Sequence, residues 1–205
     1  MRPPLPHAIV LAAGRGVRLG RGPKALLPWK GEVLATRAAR AAVEAGCSVT
    51  VVVGPAARTV RSWLRSRCPA AHAVEVREAH RGMSASLRAA VVPLIVSDAP
   101  PRAVVVLLVD QPGVGAAVIR RLLAAHRHGR VTRAAWGGYP GNPIVFDTAH
   151  LAAAAAMAEG DAGARAWIAA HGHLVDVVDC DDLGRGDDID EPADLAGWPE
   201  LGFTP

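Results

Sequence analysis

The feature that most constrains the fold of this chain is a set of short apolar runs that alternate with amphipathic stretches. The runs cover Ala8–Ala12, Val49–Val53 and Val104–Val109, and turn-forming residues follow each of them. Runs of this length and composition are typical of buried parallel strands. Four stretches rich in alanine and leucine indicate helices: Leu34–Ala45, Ala57–Ser66, Ser84–Val92 and Val114–His126. The alternation predicts an α/β fold with a Rossmann-like, doubly wound and mostly parallel sheet.

The size and composition of the chain fit one globular unit. Its 205 residues are 51% hydrophobic and 20% charged, which excludes intrinsic disorder. We therefore expect a single domain over residues 1–205. The longest apolar runs are much shorter than the roughly 18 residues that a membrane-spanning helix needs, so we expect no membrane association.

The charged and sulfur-bearing residues narrow the choice of partners. Three cysteines lie far apart in the sequence, which disfavours a disulfide framework or a zinc knuckle. The N-terminus does not resemble a signal peptide, so we expect a cytoplasmic protein. The net charge is +4, but only eight residues are aromatic, which disfavours a nucleic-acid partner. Arginine and lysine cluster near the start and aspartate near the end, a pattern that favours a small anion held together with a metal.

The second half of the sequence is less regular. A loop is predicted over residues 137–143, with short strands at Ile144–Phe146 and Leu174–Val178. A capped helix is predicted to begin near Pro192, with Asp190 as its N-cap. In doubly wound sheets the ligand lies beyond the carboxyl ends of the strands. We therefore expect the functional site at the loop after Ala13, the turn after Val53 and Asp110.

The loop that follows the first predicted strand contains the strongest chemical signal. Four glycines and three arginines lie between positions 14 and 22, shortly before Lys24. Glycine allows close approach of backbone N–H groups to a phosphate, and arginine matches a phosphate with two parallel hydrogen bonds. Leu19 excludes the Rossmann fingerprint and Pro23 excludes a Walker A loop. The alternative is an ordinary surface loop.

Four segments together resemble the MobA-like nucleotidyltransferases. They are Leu11–Pro28, Gly82–Leu87, Val109–Pro112 and Asp188–Leu195. Within that family the Leu-Ala-Ala-Gly, Gly-Met-Ser and Asp-Gln-Pro motifs are similar to the molybdenum cofactor cytidylyltransferase branch. The guanylyltransferase branch typically has Leu-Ala-Gly-Gly and lacks the glutamine. The chain departs from the cytidylyltransferase pattern at Asn142, where histidine is common, and at Glu191, where threonine is usual.

The resemblance implies a fold of the nucleotide-diphospho-sugar transferase type and a reaction that depends on Mg²⁺. CMP would move from CTP, or GMP from GTP, to the phosphate of a pterin-type acceptor, and a molybdoenzyme would be the recipient of the product. The implied catalytic residues are Arg18, Lys24 and Asp110. The implied nucleotide-binding residues are Leu11, Ala12, Ala13, Gly14, Arg15, Gly16, Lys24, Gly82 and Ser86.

The predicted metal ligands are carboxylates. Asp110 follows the most apolar predicted strand, and Mg²⁺ prefers carboxylate oxygens. Asp188 and Asp190 are two residues apart, so either or both can complete the site. The alternative roles are structural: Asp110 as a turn former, Ser84 as a helix N-cap, and the pairs His126/His128 and His171/His173 as solvated or capping side chains.

Two other functions remain open at this point. One is a nucleotidyltransferase of the same fold that uses GTP or a different phosphorylated acceptor. The other is a non-catalytic protein that binds the pterin cofactor and delivers it to an apo-oxidoreductase. The combination of phosphate-binding arginines with an acidic metal set favours turnover over delivery, because a carrier has no need to bind pyrophosphate.

Overall fold

A seven-stranded sheet runs through the computed structural model, which describes residues 4–79 and 82–202. The strands in chain order are β1 (His7–Ala12), β2 (Pro28–Trp29), β3 (Glu32–Val33), β4 (Ser48–Val53), β5 (Ala71–Glu75), β6 (Ala103–Leu108), β7 (Val131–Trp136), β8 (Tyr139–Asp147) and β9 (Val175–Asp179). The large sheet has the order β5-β4-β1-β6-β8-β7-β9, and β2 and β3 form a separate hairpin. The pairs within β5-β4-β1-β6 are parallel, and β8 is antiparallel to both of its neighbours.

Helices cover both faces of this sheet. They are α1 (Leu34–Glu44), α2 (Ala57–Arg67), α3 (Met83–Ile95), α4 (Ala116–Ala125), α5 (Thr148–Met157) and α6 (Arg165–Ala170), with 3-10 helices at Lys24–Leu26, Gly172–Leu174, Pro192–Gly197 and Pro199–Leu201. The predicted doubly wound α/β fold is confirmed. None of the helices in the described ranges is long and apolar enough to cross a membrane.

The two helical layers explain why β1 is apolar along its whole length. Ala8 and Val10 belong to the core cluster that contains α1, α2 and α4, whereas Ile9 and Leu11 belong to the cluster that contains α3, α5 and α6. Successive side chains of a strand point to opposite faces, so a strand between two helical layers is buried on both sides. This pattern is what identified the three central strands in the sequence.

Two parts of the second half differ from the prediction. The segment predicted as a loop over 137–143 is mostly strand, because Gly137 and Gly138, both with positive φ, form a tight turn and β8 begins directly at Tyr139. His126, predicted to be solvated or capping, is the C-cap residue of α4, and its side chain is largely buried. Its ring nitrogens lie 3.0 Å from Asp147 Oδ1 and 3.1 Å from Thr132 Oγ1. His128 Nδ1 lies 2.8 Å from the other Asp147 oxygen, so this cluster stabilises the junction between α4, β7 and β8.

Candidate active site

The predicted phosphate loop lies at the carboxyl end of β1, beside the end of β6. Backbone pairing continues past β6, because the Val109 N–H donates to the Leu11 carbonyl oxygen at 3.2 Å. Asp110 is the next residue along the chain and therefore lies next to the loop. From β1 the chain first builds β4 and β5 on one side and then returns to build β6 on the other side. This reversal of strand order marks the ligand crevice in doubly wound sheets.

The glycines allow the loop to fold back on itself. Gly16, Gly20 and Gly22 have positive φ, and a Cβ atom on Gly16 would collide with the Gly22 carbonyl oxygen. The Gly20 N–H donates to the Gly16 carbonyl oxygen at 3.1 Å. The turn leaves Gly14, Arg15 and Arg18 exposed to solvent, where they are accessible to an anionic ligand.

Lys24 is the centre of a group of charged side chains that we call the lysine cluster: Arg18, Lys24, Asp110 and Asp190. Lys24 Nζ lies 2.7 Å from Asp110 Oδ2 and also donates to Asp190 Oδ1. Arg18 contacts the other oxygen of Asp190 at 3.1 Å. Lys24 is 13% exposed and Asp110 19%, so the central pair is largely shielded from water. Asp110 and Asp190 lie 86 and 166 residues from Lys24 in the sequence. Three predicted site segments therefore meet here.

The neighbouring carboxylates keep Lys24 protonated. Desolvation alone would lower the pKa of Lys24, but the negative charges and hydrogen bonds of Asp110 and Asp190 outweigh it. The net pKa of Lys24 is therefore raised above its usual value. A cation with this environment retains its full charge at neutral pH.

Backbone contacts hold Asp190 in place, and they correct one prediction. Asp190 is not the N-cap of the following helix; Glu191 is, and the helix is a 3-10 helix. The Asp194 carboxylate accepts the N–H groups of Asp190 and Glu191, both at 2.7 Å. Ile189, the residue before Asp190, is fully buried, and its N–H donates to the Asp110 carbonyl oxygen at 2.9 Å. The side chain of Asp190 is thus left available to Lys24.

Asp188 lines a cleft beside the lysine cluster and is partly exposed to solvent. Desolvation and the negative charge of Asp110 raise the pKa of Asp188 to about 6, and the Gln111 amide only partly offsets this. The Gln111 Nε2 group donates to the Gly186 carbonyl oxygen at 2.8 Å. Asp188 forms no ion pair within the described ranges, whereas Asp190 contacts both Lys24 and Arg18.

The described residues do not form a complete metal-binding site. Over 4–79 and 82–202, no three histidine, cysteine, aspartate or glutamate side chains form a group that could hold a metal ion. The ammonium group of Lys24 lies between Asp110 and Asp190. Of the three predicted ligands, Asp188 is the one outside this ion-paired group, and the negative charges of Asp110 and Asp190 both raise its pKa.

Gly82 and Ser86 lie at the start of α3. Gly82 is the N-cap with a φ of 100°, and a Cβ there would be 2.5 Å from the carbonyl carbon of Gly160. The N-cap role predicted for Ser84 is therefore wrong. Asp161 Oδ1 instead accepts the Met83 N–H at 3.1 Å. Ser86 is only 4% exposed and does not line the cleft described next, so its contact with the nucleotide base stays a prediction.

A cleft of about 580 Å³ opens beside the lysine cluster. Its apolar lining comes from Leu11, Leu108, Ile144 and Ile168, together with neighbouring residues of β1, β6, β8, α3 and α6. Its polar lining is Gln111, Arg133, Asn142, Asp161, Arg165 and Asp188. Another cavity, of about 630 Å³ and next to Asp147, shares no residue with this cleft or with the predicted site. Of these two cavities, the cleft is the one that lies beside the predicted site residues.

Sequence reasoning missed Arg133, Arg165 and the lining role of Gln111. The glutamine was visible as part of the Asp-Gln-Pro motif but had no assigned role. The two arginines lie in β7 and at the start of α6, outside any motif. No local pattern signals such residues, because they meet only when the sheet and α6 are assembled.

Comparison with known proteins gives one family match and one similar curated protein. A family model described as a MobA-like NTP transferase domain matches residues 8–175. Nicotine blue oxidoreductase of Paenarthrobacter nicotinovorans is 37% identical over 198 residues, which are 91% of this chain and 93% of that protein.

Solved structures share the fold over the full length. Rv0371c from Mycobacterium tuberculosis H37Rv has a TM-score of 0.82 and 27% identity, with 99% of this chain and 100% of that chain covered. A complex of Rv0371c with manganese has a TM-score of 0.77 and 24% identity, with 98% and 100% covered.

Proposed function

The chain belongs to the MobA-like NTP transferase family, and we propose that it moves CMP from CTP to the phosphate of a molybdopterin-type cofactor, with release of pyrophosphate. The family match covers most of the chain and makes a nucleoside triphosphate the substrate. The choice of CTP rests on the Leu-Ala-Ala-Gly, Gly-Met-Ser and Asp-Gln-Pro motifs. We place the reaction in the cytoplasm, with a molybdoenzyme as the recipient of the product.

The observation that carries the proposal is the position of Lys24. A shielded lysine is held by two carboxylates directly beyond the ends of two central parallel strands, next to a glycine-rich loop with exposed arginines. Nucleotidyl transfer requires little covalent chemistry from the protein. It requires positive charge at a fixed position, because negative charge builds up on the phosphate oxygens in the transition state.

The proposed reaction is an in-line displacement. An oxygen of the acceptor phosphate attacks the α-phosphorus of CTP, a new P–O bond forms, and the bond to the β-phosphate oxygen breaks as pyrophosphate leaves. Backbone N–H groups of Ala13–Gly16 bind the β- and γ-phosphates, and Arg18 contacts the same groups. Lys24 stabilises the charge that develops at the α-phosphate. Leu11 and Ala12 form the apolar wall from which the loop departs.

The carboxylates fit a hard divalent cation. Desolvation raises the pKa of Asp188, and the negative charge of Asp110 raises it further; a cation held by these residues would offset that repulsion. We therefore assign Asp110 and Asp188 as the Mg²⁺ ligands and Asp190 as the residue that positions Lys24 and Arg18. When bound, the cation supplies neutralising charge to the phosphates. The manganese complex of Rv0371c supports a divalent metal in this fold.

Pyrophosphate release tests the proposal directly. We expect release from CTP in the presence of a molybdopterin-type acceptor and Mg²⁺, and much less from ATP, GTP or UTP. A value of kcat/KM for GTP equal to or above that for CTP would shift the assignment to a guanylyltransferase. Binding of the acceptor without release from any nucleotide would favour the delivery function instead.

The relative from Paenarthrobacter nicotinovorans supports a second candidate, because its name describes an oxidoreductase that acts on nicotine blue. All three cysteines of the present chain are free and buried, so a redox reaction would need electrons from a bound cofactor or a cosubstrate. A reduced nicotinamide nucleotide is a suitable class, since the glycine-rich loop could bind its pyrophosphate. Dye-dependent oxidation of NADH or NADPH, unaffected by CTP, would favour this candidate.

A further inference from the structure

Two arginines that line the cleft have no carboxylate partner among the residues described. Arg133 donates only to backbone carbonyl oxygens, to Gly141 at 3.3 Å and to Pro140 at 3.1 Å. Arg165 is exposed. Its backbone N–H donates to the Ala162 carbonyl oxygen at 3.0 Å, but its guanidinium group has no hydrogen bond or ion pair within the described ranges. Other arginines, such as Arg121 and Arg130, are paired with carboxylates.

The two guanidinium groups line the same cleft. Burial lowers the pKa of Arg133, and the positive charge of Arg165 lowers it further. Guanidinium groups remain charged at any physiological pH, so proximity of the pair is unfavourable until an anion contacts them. The other charged groups of the cleft do not serve: Asp161 accepts the Met83 N–H, and Asp188 forms no ion pair with either arginine within the described ranges.

A third feature of the cleft points to a ligand independently. Gln111 is 6% exposed and lines the cleft, yet its Oε1 atom has no hydrogen-bond partner within the described part of the chain. The Nε2 group is committed to the Gly186 carbonyl oxygen, so the amide orientation is fixed. An acceptor buried without a donor is destabilising by about 1–3 kcal/mol. A ligand with an N–H or O–H group would satisfy it.

We infer that the cleft binds a flat acceptor whose own anionic group contacts Arg133 and Arg165 and whose ring N–H or O–H donates to Gln111 Oε1. This inference rests on the proposed function, and it names the residues that select the acceptor. The apolar walls formed by Leu11, Leu108 and Ile144 contact the ring faces. The arginines select for charge, and the buried amide selects for a donor, because a ligand that lacks one leaves a buried group unpaired.

Direct binding without a nucleotide tests the inference. Pterin-6-carboxylate carries a flat ring, ring N–H groups and an anion, and pterin lacks the anion; both are fluorescent and can be titrated with the intact protein. We expect pterin-6-carboxylate to bind at least about tenfold more tightly than pterin, since a charge-assisted hydrogen bond contributes on that scale. Equal affinities for the two probes, or no binding of either at millimolar concentration, would overturn it.

Variants separate the two kinds of contact. Arg165→Gln should remove the preference for pterin-6-carboxylate and leave pterin binding unchanged. Gln111→Met should weaken both probes about equally. Arg133→Gln is a second test of the anion site but also removes contacts to Pro140 and Gly141, so Arg165→Gln is the cleaner variant. Arg67→Gln, at the exposed end of α2, is the control and should change neither affinity.

The outcomes distinguish this inference from the proposed function. Pyrophosphate release can fail while pterin-6-carboxylate still binds in an Arg165-dependent manner, in which case the acceptor site stands and the donor chemistry is wrong. Release can also occur with no effect of Arg165→Gln on the binding of pterin-6-carboxylate. That result would leave the transferase assignment intact and remove the acceptor site.

Discussion

The lysine cluster and the cleft beside it deal with charge in opposite ways. In the lysine cluster, Lys24 and Arg18 are matched by Asp110 and Asp190. In the cleft, Arg133 and Arg165 have no carboxylate partner among the described residues, and Gln111 Oε1 lacks a donor. The first region is therefore organised by its own side chains before any substrate binds. The second leaves its polar groups to the ligand, which is the arrangement expected of a site that selects among ligands.

The largest expected effect comes from removing the central cation. Lys24→Ala should lower kcat by about 10²–10³, the usual cost of losing an electrostatic partner of the transition state, and leave Asp110 and Asp190 without a cation between them. Steady-state pyrophosphate release measures it. Lys30→Ala is the matched control, because Lys30 is 65% exposed and lies in the β2–β3 turn. A kcat of Lys24→Ala within a few-fold of that of the parent would show that the charge pairing around Lys24 has no catalytic role.

Asp110→Asn keeps the shape of the side chain and removes its charge. We expect the Mg²⁺ concentration that gives half-maximal activity to rise by about tenfold or more, since even indirect contacts to a metal can contribute 10–100-fold in affinity. Titration of activity with Mg²⁺ checks this, with the exposed Asp98→Asn as control. An unchanged Mg²⁺ dependence would move the metal away from the end of β6.

Asp194 tests whether the lysine cluster depends on its backbone support. Asp194→Ala removes the acceptor for the N–H groups of Asp190 and Glu191 and should cost about 0.5–2 kcal/mol of stability, as for a lost helix cap. It should also lower kcat a few-fold with little change in KM for CTP, because Asp190 no longer fixes Lys24. Asp194→Asn retains an acceptor oxygen and should restore most of kcat. Loss of stability with no change in kcat would limit Asp194 to a structural role.

The smallest effect concerns Asp188 and pH. The folded chain binds this proton with a pKa of about 6, above the roughly 3.9 of an unfolded aspartate. Protonation therefore favours the folded state, and this stabilisation is lost as pH rises from about 4 to about 6. Because Asp188 is exposed, solvent screening reduces the effect, and Asp188→Asn should raise Tm by only about 2 °C at pH 7.5 in metal-free buffer and by less at pH 4.5. The exposed Asp187→Asn is the control; a similar shift in both variants would contradict the raised pKa assigned to Asp188.

Sequence patterns predicted the central strands and the lysine cluster better than the cleft. The apolar runs placed β1, β4 and β6 to within a residue at each end, because a strand buried on both faces must be apolar throughout. β5 and β7 were missed, since Ala71–Glu75 and Val131–Trp136 mix polar and apolar residues. The lysine cluster could be predicted because each of its members lies within a sequence motif. The arginines of the cleft were not, since nothing near them in the sequence marks them.

The sequence by itself determined the doubly wound sheet, the glycine-rich loop and the identities of the charged residues at the strand ends. These features depend on local periodicity and on backbone conformations that glycine permits. Tertiary structure alone decided that Asp190 contacts Lys24 while Asp188 forms no ion pair within the described ranges, although the two aspartates are separated by one residue. It also brought Arg133 and Arg165 to one cleft. Such pairings depend on the direction of side chains from distant segments, and that direction is set by how the 186–190 segment, β7 and α6 pack against the central strands.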